Sequence, residues 1–153
     1  MSATLSSWLH HDHRRYEGML EECDLRAGVE DWKAVKRLFG ELKSDLETHI
    51  RAENEVLFPA YEDLPGAPVA PTDALRAEHA EIGRLLRDVE RLLAAQDSDL
   101  FTDALRHLDA AMTRHHEHEE RIFLPMAGQA LLASRDELLR RLEAYDRRRN
   151  PGA

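Results

Sequence analysis

Residues 49–59 read HIRAENEVLFP, and the fold turns on where His49 and Glu53 fall in that stretch. They close a run in which Val35, Leu38, Phe39, Leu42 and Leu46 recur at intervals of three and four, the helical period. That spacing puts His49 and Glu53 on the apolar stripe, with Val56 and Leu57 beyond them. Residues 115–125 read HHEHEERIFLP, with His115, Glu119 and Pro125 at the places of His49, Glu53 and Pro59. Twice, then, core positions carry a histidine and a carboxylate, residue types that interiors exclude unless they are paired or bound.

The correspondence runs at a constant offset of 66 residues. Leu9 matches Leu75, Asp12 matches Glu78, His13 matches His79, Leu20 matches Leu86, and Leu42 matches Leu108. Breaks in the helical pattern fall at Gly28, at DLPGAPVAPT (63–72), at QDSD (96–99) and at Pro125 to Gly128. A first helix carries Leu5, Leu9, Tyr16, Leu20 and Cys23 on one face. A third carries Leu75, Ile82, Leu85, Leu86, Val89 and Leu93, and a fourth carries Phe101, Leu105, Leu108, Met112, Ile122 and Phe123. A shorter fifth helix opens at the capping box SRDE, Ser134 to Glu137. No useful length alternates with period two. The expected fold is all-α, an antiparallel up-down-up-down four-helix bundle with a short C-terminal helix. It forms one domain over 1–153, with hairpin repeats at about 5–62 and 71–128 and the last helix at about 134–149.

In each stripe the break is a side chain that binds metals: His13, His49 with Glu53, His79, and His115 with Glu119. His13 lies 15 residues before Gly28 and His49 lies 21 after it. At about 1.5 Å of rise per residue, and with some residues spent in the turn, the two levels agree within a helical turn. The 36-residue separation recurs from His79 to His115, so all six groups converge at one level. Burying two carboxylates beside four imidazoles costs several kcal/mol per uncompensated charge. Metal ions remove that cost. Six such ligands are too many for one tetrahedral zinc; they suit two metals, each holding two imidazoles, with both carboxylates bridging. Imidazole mixed with carboxylate favours iron over calcium or magnesium.

Composition narrows the field. The net charge of −9 disfavours nucleic acid as a partner. The arginines near the end alternate with acids at a helix C-terminus, a solvated helix end rather than a binding patch. One cysteine, Cys23, allows no intramolecular disulfide and no zinc finger. No leader-like or membrane-spanning stretch is present, and a cytoplasmic location is expected.

With all six positions, the doubled spacing and the flanking LFP and FLP, residues 5 to 130 resemble the hemerythrin-like, or HHE cation-binding, family. The resemblance implies an up-down-up-down bundle around a non-haem di-iron centre, two iron ions with an oxo or hydroxo bridge. It implies that Glu53 and Glu119 bridge, that His13 and His49 serve one iron, and that His79 and His115 serve the other. The ferritin-like pattern Glu-x-x-His is absent, because Leu46, Arg76 and Met112 stand three before His49, His79 and His115. The protease pattern H-E-x-x-H is absent too. Oxygen-carrying members have one more histidine a turn after the third-helix ligand, where this chain has Gly83. Each iron would then keep an open position, suited to reaction with peroxide, dioxygen or nitric oxide more than to oxygen storage.

Around the six, Glu17 is a candidate seventh ligand, more simply a solvated carboxylate. Tyr16 is expected to pack. His10 and His118, one turn from ligands, are candidates for outer positions. Glu55 and Glu120 are expected in solvent unless one orients a ligand histidine. His11, His107 and His116 read as surface residues, and Cys23 as a buried inert thiol. Three functions remain open: a di-iron protein acting on a small diatomic or peroxide ligand, a sensing or iron-handling module with a protein partner, and reversible oxygen binding.

Overall fold

The structure is a computed structural model that describes residues 4–149. Helix α1 spans Leu5–Gly28 and α2 spans Trp32–Ala52, which passes through a π-helical turn, Glu53–Leu57, into α3, Phe58–Glu62. Helix α4 spans Ala70–Ala95 and α5 spans Ser98–His118, followed by a second π-helical turn, Glu119–Phe123, and α6, Leu124–Ala130. A short 3₁₀ turn, Leu132–Ser134, leads into α7, Arg135–Arg149.

Local chemistry sets these ends. Thr4 and Ser7 form a reciprocal capping box at the start of α1. Asp31 and Asp97 accept backbone N–H bonds as the caps of α2 and α5. Gln96 ends α4 in the left-handed conformation at φ 52°. The amphipathic faces then close on one another: α1 packs on α2, α4 on α5, and the hairpins meet through α1 with α5 and α2 with α4. The all-α four-helix bundle with an added C-terminal helix is thus observed.

The core is two apolar clusters. One gathers Tyr16, Leu20, Cys23, Phe39, Leu42, Leu86, Phe101 and Leu108 toward the hairpin turns. The other gathers Leu9, Val56, Phe58, Leu75, Phe123 and, from α7, Leu138, Leu139 and Leu142. Along every helix of the bundle the six polar residues lie between the two clusters. Burial pushes the Cys23 thiol up to about 12, which keeps it protonated, as expected of an inert buried cysteine.

Two expectations are corrected. Pro125 to Gly128 does not break the chain, since α6 runs through it. Ile122 does not join the core and is 62% exposed. The π-helical turn explains both. A proline lacks the N–H and crowds the carbonyl four residues back, and a wider turn just ahead of Pro59 and Pro125 accommodates this. In that turn each residue rotates by less than the α-helical step, so the side chain three after Glu119 swings out and Leu124, five after, swings in. The matching Val56 is buried because α7 covers it. No helix among the described residues is long and apolar enough to cross a membrane.

Candidate metal centre

All six side chains predicted from the sequence meet in the middle of the bundle, none of them more than 4% exposed. They form two overlapping groups: His13, His49, Glu53 and Glu119, and Glu53, His79, His115 and Glu119, each able to hold a metal ion. In each group the ligand atoms lie within 4.8 Å of one another, and both groups share both carboxylates.

Each carboxylate divides its oxygens between the groups. Glu53 turns Oε1 to His49 Nε2 at 2.9 Å and Oε2 to His79 Nε2 at 2.9 Å. Glu119 turns Oε2 to His13 Nε2 at 3.7 Å, and Oε1 touches His115 Nε2 and lies 3.8 Å from His79 Nε2. The Nε2 atoms of His79 and His115 are 3.0 Å apart. The carboxylate oxygens and the Nε2 atoms of His13 and His49 are sealed from solvent, and none has a hydrogen-bond partner of good geometry. Orphaned buried atoms of this kind, all with lone pairs converging on one space, fit cations.

The outward nitrogens are all satisfied. His49 Nδ1 donates to Asp12 at 2.8 Å and His115 Nδ1 to Glu78 at 2.7 Å. His13 Nδ1 donates to Glu120 at 3.0 Å and His79 Nδ1 to Asn54 Oδ1 at 2.8 Å. Since each partner offers an oxygen acceptor, Nδ1 carries the proton in the neutral ring and Nε2 is the nitrogen whose lone pair a cation would take. The four partners obey the repeat: Asp12 matches Glu78, and Asn54 matches Glu120. An acid one residue before the first histidine of each hairpin holds the second histidine of the same hairpin. The residue after each glutamate holds a histidine of the opposite hairpin.

Electrostatics follow from burial against charge. For Glu53 and Glu119 desolvation pushes toward the neutral form, but the imidazoles around them win and hold both below the usual carboxylate range. Desolvation also works against charge on His49 and His115, yet Glu53 and Glu119 respectively, with the outer carboxylates, raise each to about 10 in the metal-free protein. His13 goes the other way, lowered chiefly by desolvation.

The surroundings hold one further correction. His116, expected on the surface, is 5% exposed and stacks on His13 with ring centroids 3.6 Å apart. Burial, with the charge of His13, lowers it to about 2 and keeps it neutral. The departure has a local cause: α5 is flanked by α1 here, so the residue beside His115 faces a neighbour rather than water. Glu120 is not simply solvated, since it orients His13. His10 bonds Glu120 at 3.2 Å and His118 bonds Glu78 at 2.8 Å, so both stand behind the carboxylates. Tyr16 packs edge-on to His49 and its hydroxyl donates to the Asp45 carbonyl at 3.2 Å, which directs it away from the centre. Glu17 and Glu55 are exposed, and Glu55 accepts from the Tyr145 hydroxyl. His11 and His107 are exposed as expected. Asp12, Asn54 and Glu78 were missed as orienting residues; their signal was adherence to the repeat offset right beside a ligand.

Comparison with known proteins agrees with the geometry. A curated relative described as a DNA nickase, from Nostoc sp. (strain PCC 7120), is 30% identical over 90 residues. That match covers 59% of this chain and 24% of the relative, so the chain spans about a quarter of its length. No solved structure matches significantly. The family model described as the hemerythrin HHE cation-binding domain matches residues 4–127. With that span matched, and with histidines and glutamates that could hold a cation gathered between four helices, the chain belongs to the hemerythrin HHE cation-binding family.

Proposed function

We propose that the two hairpins and the C-terminal helix form one domain around a di-iron centre that binds or reacts with dioxygen, peroxide or nitric oxide. His13 and His49 would ligate one iron, His79 and His115 the other, and Glu53 and Glu119 would bridge. The observation that carries the reading is the sharing of both carboxylates by two histidine pairs. Mixed imidazole and carboxylate donors suit iron, and iron held there supplies redox chemistry and open coordination positions. The protein's own part is to fix geometry and exclude water. Four Nδ1 bonds hold the imidazole planes. Trp8 lies flat on His49 and Phe58 on His79, and these walls keep bulk water off the ligand nitrogens. Gly83 offers no side-chain donor, so iron held there would keep a position open to a small ligand.

Purification without added metal, followed by iron loading and assay of hydrogen peroxide consumption, tests the reading. Peroxide turnover that needs the iron supports it. A loaded protein inert toward peroxide, oxygen and nitric oxide removes the reactive part. A second reading, iron or oxygen sensing through a partner surface, is favoured by α7, which packs on the π-helical turn carrying Glu53. Metal-dependent protease resistance at 128–150 would support it; unchanged cleavage would not. The activity in the relative's name is not carried over, because a charge of −9 offers no basic field to phosphates.

A further inference from the structure

The repeat lets the two sides of the centre be compared position by position, and they differ in what lies against the imidazoles. On one side His116 stacks on His13, with planes 9° apart. The place matching His116 in the first hairpin is Ile50, and the ring lying flat on His79 is Phe58. The His13 side of the centre therefore has an extra polar ring where the matching position of the other hairpin carries an aliphatic side chain.

His116 is an unusual group to leave in such a place. It is 95% buried, and its Nε2 is sealed from solvent with no hydrogen-bond partner in the protein. Buried imidazole nitrogens are normally paired, and an unpaired one beside a ligand site is most simply explained by a partner that arrives with the ligand.

A way in exists at the same place. A cleft of about 200 Å³ lies between α1 and α5, with exposed His10, Arg14, Glu17 and Thr113 on its walls and buried His13 and His116 at its inner end. A water molecule's share of liquid is about 30 Å³, so the cleft has room for a two- or three-atom ligand with its hydration.

We propose that a small ligand reaches the His13 side of the centre through the α1/α5 cleft and is held there by a hydrogen bond with His116. The inference rests on the di-iron reading and deepens it: it names the route and the residue that positions the ligand. It also names the ligand class, a two- or three-atom molecule or anion with an atom able to share a hydrogen with imidazole. The place matching His116 carries Ile50, whose side chain cannot hydrogen-bond.

Azide is a suitable probe, because it is a three-atom anion whose binding to ferric iron is read optically. Iron-loaded wild type, His116→Leu and His116→Gln are compared by elemental analysis and azide titration. In His116→Leu, iron content stays at the wild-type level and azide affinity falls about tenfold, as for loss of one hydrogen bond. His116→Gln, which keeps a donor, recovers part of the loss. Thr113→Trp narrows the cleft from an exposed position that is not one of the six; it slows azide association about tenfold or more and leaves iron content unchanged. Wild-type affinity in His116→Leu overturns the role of His116, and so does loss of iron, which would make it a ligand itself. A wild-type association rate in Thr113→Trp overturns the route and keeps the proposal testable if His116→Leu does not fold. If the wild type takes up no iron at all, it is the di-iron reading that has failed, and the elemental analysis distinguishes that result from the others.

Discussion

At the scale of single residues, the division of labour within each imidazole matters most. A ligand histidine works only if one nitrogen is deprotonated and aimed, and the neighbour on its other nitrogen decides both. Asp12 does this for His49 and is itself held below the usual carboxylate range: burial opposes its charge, but His49 and Arg15 outweigh that. Replacing Asp12 by Ala should weaken metal binding about 10- to 100-fold while leaving the helical fold in place. Competition against a chelator, with circular dichroism as the control for folding, measures this. Wild-type affinity in Asp12→Ala would mean that the imidazole needs no outer partner. The six converging side chains were legible because each breaks an apolar stripe; their partners were not, because an acid beside such a residue looks like any solvated acid until the opposite helix is in place. His116 was misread for the same reason. Its burial comes from α1 lying over α5, a contact that no periodicity within α5 announces.

At the scale of elements, the helices were predicted from period and breakers, and the π-helical turns were not. Positions 49, 53 and 57 keep an interval of four whether the turn after Glu53 is α or π, so the stripe alone does not separate them. Pro59 and Pro125, each six residues after a glutamate, were the available signal. The turns begin at Glu53 and Glu119 themselves, and π-bulges are frequent at functional sites. Elsewhere the helices hold ordinary slack. Gly40 stands within α2, and a Cβ added there would meet nothing within 4 Å. Gly40→Ala should therefore stabilise the protein by about 0.5–1 kcal/mol through lower backbone entropy in the unfolded chain and better helix propensity. Urea denaturation measures it, and a destabilised variant would show that α2 is not a regular helix at that point.

At the scale of the whole molecule, the bundle is two apolar clusters with a buried polar level between them that could hold metal ions. This gives opposite pH dependences with and without metal. In the metal-free protein His49 and His115 are raised from 6.5 to about 10, so they are charged and paired with carboxylates near neutrality. That stabilisation is fully present below pH 6.5 and is lost as the pH rises through about 10. Cations need the same nitrogens deprotonated, so metal binding releases protons and strengthens as the pH rises. The gap in Tm between loaded and metal-free protein should widen from pH 6 to pH 9; a gap that narrows would count against these histidines as ligands. The most direct test of the central claim is the metal content of each chain, by elemental analysis, in wild type and in the Glu53→Ala and Glu119→Ala variants. The account predicts two irons in the wild type, one for each ligand group, and a loss of metal in both variants, because each carboxylate belongs to both groups. Full metal content in both variants, or a wild type that stays empty after loading, would contradict it.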